Sequence, residues 1–271
     1  MELNEALKGK LEHLYRYFSE LESVVVCYSG GTNSSLLLYL AQKILGDNAE
    51  AVFFKSPVIP FYLQQEAAET AKLFNAKLTI FSMPPLDSYM FMGNPENRCH
   101  LCKNEIVTKA SSIAKRFNIN NVVEGSTGEA PGIHCQNKIA LTGTHVRCPF
   151  EELKITKPGI REISKSLALP TWKKSPFFCL MTHFRHGTRI NEKMLLTVEL
   201  AENFLKSHGF QYYKIWHDGE TARLALGATE TVATIGKLRT SIANYLKSLG
   251  FKSAYVVDYR MPDELSQIVL Y

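Results

Sequence analysis

The sequence predicts an α/β fold, a doubly wound parallel sheet followed by a smaller α+β domain. Three observations carry that prediction. Across the first 125 residues, short apolar runs alternate with stretches of helical periodicity, at the spacing of βαβ units. The runs are apolar throughout, as in strands buried on both faces; a half-exposed sheet would alternate. Beyond Gly187 the order changes to helix, paired strands, helix and strand, which divides the chain into domains 1–187 and 188–271.

The elements follow in order. Leu3, Leu7, Leu11, Leu14 and Phe18 space a helix over 2–18. An apolar strand at 23–28 leads into a helix at 34–45, a strand at 51–54, an Ala- and Glu-rich helix at 62–74 and a strand at 78–81. A loop holding Pro84, Pro85, Gly93 and Pro95 precedes a helix at 102–117 and a strand at 121–124. The pattern is irregular after Gly125, with Gly128, Pro131, Gly132 and Gly143. Thr156 is a good N-cap for a helix running to 167, with Pro158 and Gly159 in its opening turn. Residues 169–187 read as loop. Then come a helix at 192–208, strands at 212–216 and 222–226 about a His-Asp-Gly-Glu turn, a helix at 236–249 and a strand at 254–258.

Composition bounds the function. The 271 residues are 45% hydrophobic and 21% charged, which suits a sizeable core and excludes disorder. No apolar run approaches the roughly 18 residues of a membrane span, and MELNEALKGK lacks the apolar stretch of a secretory signal, so a cytoplasmic location is expected. Net charge is +5. Between Arg147 and Arg189 stand nine basic residues against three acidic ones, a local excess of +6. Such an excess draws phosphorylated small molecules or nucleic acid, and it equally fits a solvated lysine-rich helix face.

Six cysteines are present: Cys27, Cys99, Cys102, Cys135, Cys148 and Cys179. In a cytosolic chain they read as metal-binding, catalytic or buried thiols. Cys27 sits in an apolar strand and reads as core; Cys135 and Cys148 carry no motif and read as structural.

The sharpest motif is Val24-Val25-Val26-Cys27-Tyr28-Ser29-Gly30-Gly31-Thr32-Asn33-Ser34-Ser35. A buried strand runs through a Ser-Gly-Gly turn into hydroxyl residues that open an apolar helix. Glycines let the backbone approach a ligand, and the free N–H groups of a helix start attract anions. Ser29, Ser34 and Ser35 add hydroxyl donors. Neither GxxxxGK[ST] nor GxGxxG is present; a plain Gly-rich turn is the simpler reading. The segment resembles the PP-loop of the ATP pyrophosphatases, S-G-G-x-D-S, which cleave ATP between the α- and β-phosphates to adenylate a substrate. Asn33 stands where that family has Asp; the amide keeps hydrogen-bonding ability and loses the charge, which bears on magnesium handling.

Further motifs follow: Arg98-Cys99-His100-Leu101-Cys102-Lys103, Thr156-Lys157-Pro158-Gly159-Ile160-Arg161, Leu169-Pro170-Thr171-Trp172-Lys173-Lys174, Cys179-Leu180 and Gly187-Thr188-Arg189-Ile190. In this order, from about Val24 to Asp258, they resemble the LarE family, sulfur transferases that thiolate the precursor of the nickel-pincer cofactor. The resemblance implies that Cys179 either gives up its own sulfur or joins Cys99 and Cys102 in holding a 4Fe–4S cluster, whose open iron could deliver an extra sulfide. A zinc site of Cys99, Cys102, Cys179 and a histidine such as His183 fits the same residues, as do redox or inert thiols. The basic neighbours Arg98, Lys103, Lys173, Lys174 and Arg185 would favour thiolates.

The chain departs from the family at several points. It has Met181-Thr182-His183-Phe184-Arg185-His186 where the family reads ASRFPY, and Lys214-Ile215-Trp216 where it has RVR. Lys214 can hold a substrate phosphate as a point charge, without bidentate geometry. Trp216 reads as core or as a stacking ring. The stretch after the fourth strand, Gly-Thr-Asn-rich in the family, is Gly125-Ser126-Thr127-Gly128-Glu129 here, while Arg223 matches.

Together these imply an ATP-dependent sulfur transferase. ATP with Mg2+ binds Ser29, Gly30, Gly31, Asn33, Ser34, Ser35 and Gly125. Lys103, Lys214 and Arg223 meet phosphate or substrate, and Cys99, Cys102 and Cys179 carry sulfur. A small anionic or nucleotide-like substrate, a sulfur donor and a homo-oligomer are expected. The basic segment permits tRNA thiolation instead. The departure at Asn33 permits a nucleotide- or cluster-binding protein without turnover, and an amide-forming ligase would leave the cysteines unexplained.

Overall fold

The computed structural model describes residues 3–84, 88, 91, 93–127, 145–174, 179–210, 213–227, 232–258 and 268–270. Gly128, Glu129, Cys135, Ser175 and Pro176 lie outside them. The α/β architecture expected from the sequence is present: a parallel five-stranded sheet with flanking helices, and a smaller mixed sheet.

The chain forms two compact units, each assembled from separated segments. The first comprises Met1–Ser56, Phe61–Met83 and Cys99–Pro176, the second Pro57–Pro60, Pro84–Arg98 and Phe177–Tyr271. In the first, α1 (Glu5–Ser19) is capped by Asn4, whose Oδ1 accepts from Leu7 N at 2.9 Å, and it buries Leu14 and Phe18. Then come β1 (Val24–Tyr28), α2 (Thr32–Leu45), β2 (Ala49–Lys55), α3 (Phe61–Leu73), β3 (Lys77–Ser82), α4 (Arg98–Arg116), β4 (Asn121–Val123), β5 (His145–Arg147), the short α5 (Pro149–Glu152) and α6 (Lys157–Ser166). Val24, Val25 and Val26 are fully buried, each contributing roughly 1.5–3 kcal/mol of apolar burial. This explains the unbroken apolar run. Thr156 caps α6 as expected, accepting from Gly159 N at 3.3 Å.

The strand order β3-β2-β1-β4-β5, with every pairing parallel, makes the sheet doubly wound. The chain builds outward from β1 through β2 and β3, then returns through α4 to place β4 on the other side of β1. The order therefore reverses between β1 and β4. Loops that leave the carboxyl ends of these two strands diverge there and open a crevice, the usual ligand position in such sheets. The phosphate loop leaves β1, and Gly125 leaves β4.

In the second unit, α7 (Glu192–Ser207) precedes an antiparallel hairpin of β6 (Tyr213–Asp218) and β7 (Thr221–Leu226), turned at Gly219 with φ +66°. Helix α8 (Val232–Ser248) carries the chain to β8 (Ser253–Asp258), parallel to β7, and β9 (Ile268–Val269) closes an antiparallel edge. Leu205, Ile215, Leu224, Ile242, Leu246 and Phe251 are among the buried residues of its core.

Two features differ from the sequence expectation. Helix α4 begins at Arg98, so Cys99 and Cys102 lie inside its first turns. Strand β5 is three residues, His-Val-Arg, too short and polar to show as an apolar run. It is an edge strand, and an edge needs only one side satisfied by pairing.

Candidate functional site

The phosphate loop is tight where glycine is required. Gly30 has φ +73°, and a Cβ there would stand 2.5 Å from Ala67 Cβ on α3. No side chain fits. Ser29 and Ser34 close the loop on itself: their hydroxyls are 3.0 Å apart, and Ser29 N donates to Ser34 Oγ at 3.1 Å. Gly31 N is 3.4 Å from Ser29 Oγ, and a side chain at Gly31 would meet only that oxygen, at 3.5 Å. Gly31 thus has no steric need for glycine, unlike Gly30. Ser35 is buried and no hydrogen bond reaches its hydroxyl.

Across the crevice, Asn33 Nδ2 donates to the carbonyl oxygen of Gly125 at 2.8 Å. A Cβ at Gly125 would sit 3.0 Å from Asn33 Cβ and 3.4 Å from Ser34 N, so the second loop comes down hard on the start of α2. Next to it Lys103, on α4, reaches over to Glu124 at 3.1 Å and to Ser126 Oγ at 2.9 Å, while Ser126 Oγ donates to Glu124 Oε2 at 3.0 Å. Lys103 thus stands beside the crevice with its ammonium paired to a carboxylate that is only 14% exposed. Phosphate ligation by Lys103 must compete with that pair.

Cys99 and Cys102 share one face of α4, three residues apart, which sets their Cβ atoms about 5–6 Å apart. Both are free thiols, and Cys99 is exposed. Burial, together with the nearby Cys99 and Glu105, pushes the Cys102 thiol up to about 11.

Cys179 belongs to the second unit, as do Lys214 and Arg223. It is a free thiol at the start of the helical turn Leu180–His183. That segment is tied down twice: Leu180 N donates to Val58 O at 2.9 Å, and buried Asn94 directs Nδ2 at the carbonyls of Met181, Phe184 and Arg185, at 3.3, 3.1 and 3.0 Å. Around it lies a cationic face. Burial holds the Lys214 ammonium below its ordinary value. Glu202 and the Cys179 thiolate favour its charge, whereas Arg98 and Arg223 oppose it. Trp216 is the register partner of Arg223 and is only half-buried; the guanidinium carbon of Arg223 lies 4.3 Å from its ring centroid and Lys214 Nζ 5.1 Å. Asp218 Oδ1 holds Arg185 Nε at 2.8 Å, and its Oδ2 is 3.7 Å from Arg223 Nε. The core reading of Trp216 is thus corrected: alternation puts Ile215 inside and leaves Lys214 and Trp216 on the cationic face.

The structure therefore gathers the loop residues with Gly125 and Lys103 in one unit, and Cys179 with Lys214 and Arg223 in the other. Among the described residues, no three His, Cys, Asp or Glu side chains are gathered as metal ligands are. The sequence reading had given no role to Asn94, Arg161 or Glu66. Arg161 does stand in a motif quoted above, but what Asn94 and Arg161 hold is 11 to 91 positions away, beyond any local pattern.

No family model matches the chain. It is 32% identical over 226 residues to an uncharacterised protein of Synechocystis sp. (strain ATCC 27184 / PCC 6803 / Kazusa), covering 81% of this chain and 82% of that one. To an uncharacterised protein of Methanocaldococcus jannaschii it is 28% identical over 210 residues, 74% and 75% of the two chains. It is 23% identical over 247 residues to the pyridinium-3,5-bisthiocarboxylic acid mononucleotide synthase of Lactiplantibacillus plantarum, covering 91% and 89%. Among the described residues no helix is long and apolar enough to cross a membrane.

Proposed function

Because the chain belongs to the LarE family, we propose that it is an ATP-dependent sulfur transferase that adenylates a substrate carboxylate or carbonyl oxygen and replaces that oxygen with sulfur. The observation that carries this reading is the phosphate loop. Its Gly30 backs onto α3 with no room for a side chain, its serines are bonded to each other, and it sits at the reversal of strand order under the Gly125 loop. That is an anion cradle made of backbone N–H groups and hydroxyls.

Adenylation proceeds by attack of the substrate oxygen on the α-phosphorus of ATP, with pyrophosphate leaving. AMP then serves as the leaving group for sulfur. The loop holds the departing pyrophosphate; magnesium comes with ATP and meets an amide at position 33. The cationic face about Cys179 holds the acceptor through Lys214 and Arg223, and the printed name of the Lactiplantibacillus relative points to a small acceptor with carboxylate and phosphate groups. The Asp218 carboxylate and Trp216 ring fix the direction of the Arg223 guanidinium.

The donor set suits iron–sulfur ligation: Cys99, Cys102 and Cys179 are all free thiols, two of them one helical turn apart. When bound by these three thiolates, a 4Fe–4S cluster would supply an iron site able to carry an additional sulfide; without it, the Cys179 sulfur itself is the donor.

Anaerobic purification followed by iron, sulfide and zinc analysis tests the carrier, and pyrophosphate release tests the chemistry. Cys179→Ala should abolish sulfur transfer while leaving ATP binding intact. Persistent transfer in that variant, or no nucleotide binding by the parent chain, overturns the proposal.

A further inference from the structure

The turn that ends in Lys174 is held by side chains from two helices. Thr32 Oγ1, at the start of α2, donates to the carbonyl of Thr171 at 2.8 Å. Arg161, on α6, spreads its guanidinium over two carbonyls, Nη1 to Trp172 O at 2.9 Å and Nη2 to Lys174 O at 2.8 Å. A lysine could not span both oxygens in one plane. The backbone of Lys174 is therefore fixed, and its side chain runs to the phosphate loop. Lys174 Nζ lies 3.2 Å from the carbonyl oxygen of Gly30 and 2.9 Å from Glu66 Oε2.

This places a cation on the loop itself. The loop from Ser29 to Ser35 has no charged side chain, and the position that is acidic in the PP-loop pattern is an amide here. Lys103, a cation beside the Gly125 loop, is paired with a carboxylate only 14% exposed. Lys174 is 18% exposed, but its partner Glu66 is 41% exposed, and an ion pair to so open a carboxylate is readily exchanged for one to phosphate. An ammonium has three protons, so it can keep the Gly30 carbonyl while turning another proton from Glu66 to a ligand.

We propose that Lys174 is a phosphate-binding residue of the nucleotide site, exchanging the Glu66 carboxylate for an oxygen of the triphosphate. The proposal rests on the phosphate-loop reading above and deepens it: the motifs at 156–161 and 169–174 become one device, in which Arg161 positions the backbone from which Lys174 reaches the loop.

Titration calorimetry on the whole chain tests it, with α,β-methylene-ATP, inorganic pyrophosphate and adenosine as probes. Lys174→Ala should weaken α,β-methylene-ATP and pyrophosphate at least roughly tenfold, as loss of a charged hydrogen bond does, and leave adenosine within about twofold. Lys174→Arg should recover most of the loss. Glu66→Gln, which frees the ammonium, should bind the triphosphate as tightly as the parent chain or more tightly. Equal loss of adenosine and triphosphate in Lys174→Ala, or weakening by Glu66→Gln to match it, would mean that the lysine only braces the turn. Unaltered triphosphate binding in Lys174→Ala sinks the role of Lys174 alone; failure of the parent chain to bind any probe sinks the phosphate-loop reading with it.

Discussion

Asn33 shows how one side chain can be committed to two incompatible tasks. Its amide N–H is the tie that holds the Gly125 loop to the start of α2, at 2.8 Å from a carbonyl oxygen. An ionised aspartate has no proton to donate and would set its own oxygen against that carbonyl. The tie is worth roughly 1–3 kcal/mol, because its loss leaves a part-buried carbonyl facing negative charge. A carboxylate would in return offer magnesium a better ligand. A Cβ added at Gly125 would stand only 3.0 Å from Asn33 Cβ, so the two segments run close enough for the repulsion to be felt. Asn33→Asp is therefore expected to lower the melting temperature and to lower pyrophosphate release in the presence of substrate. A gain in release would show that the carboxylate's charge outweighs the lost tie.

Elements meet over a second conflict in the smaller unit, where the turn Leu180–His183, α7 and β6 enclose His183 and Glu202. His183 is 1% exposed, its Nδ1 stands 2.6 Å from the Ile215 carbonyl, and burial takes its pKa down to about 3. Glu202 accepts from Ile215 N at 3.3 Å, and burial pushes its pKa up to about 7. Its 3.4 Å approach to His183 is no ion pair at neutral pH, since the ring is uncharged there. Lys214 acts on both groups, and Glu199 on Glu202. A depressed histidine leaves the unfolded chain binding more protons, so stability rises with pH from about 3 to 6.5; a raised carboxylate does the reverse from about 4.5 to 7. Over about pH 4.5–6.5 the two slopes oppose and nearly cancel. Glu202→Gln removes the falling one, so between pH 5 and pH 8 the variant should gain about 2–3 kcal/mol on the parent chain in urea midpoints. Parallel pH curves would show that Glu202 titrates as an ordinary carboxylate. None of this was legible in the sequence, where Glu202 is one acid among several on an amphipathic helix. Legible were the features set by local rules: the apolar strands, the Thr156 cap, the Ser-Gly-Gly turn and the hairpin turn. The three-residue β5 and the start of α4 were missed because pairing, not pattern, defines them. Cys179, Lys214 and Arg223 could be named by motif; that they share one unit, with Trp216 under the arginine, depends on strand alternation and register.

On the scale of the whole molecule, the basic excess of residues 147–189 decides between a small anionic substrate and RNA. Affinity for a polyanion comes from cations free to release counterions, not from a count of lysines and arginines. At least five of the nine are already engaged. Arg147 pairs with Glu152 at 3.3 Å and covers the Tyr17 ring at 4.5 Å, and Arg161 holds two carbonyls at 2.9 and 2.8 Å. Lys165 lies 4.7 Å over the Trp172 ring, Lys174 sits between Gly30 and Glu66, and Arg185 is held by Asp218 at 2.8 Å. Arg161 and Lys174 among them tie the Thr171–Lys174 turn to the Ser29–Ser35 loop, so that positive charge is spent within the fold on orienting a few groups. That arrangement suits a ligand with one or two phosphates that brings its charge to a fixed point. A duplex or tRNA backbone instead calls for cations free along its length. Filter binding of unmodified tRNA at 0.15 M salt should accordingly give a dissociation constant no tighter than about 1 µM, the non-specific range, and rising steeply with added salt. A tighter, salt-resistant complex would mean that the basic segment reads RNA, and tRNA thiolation would then displace the small-molecule acceptor.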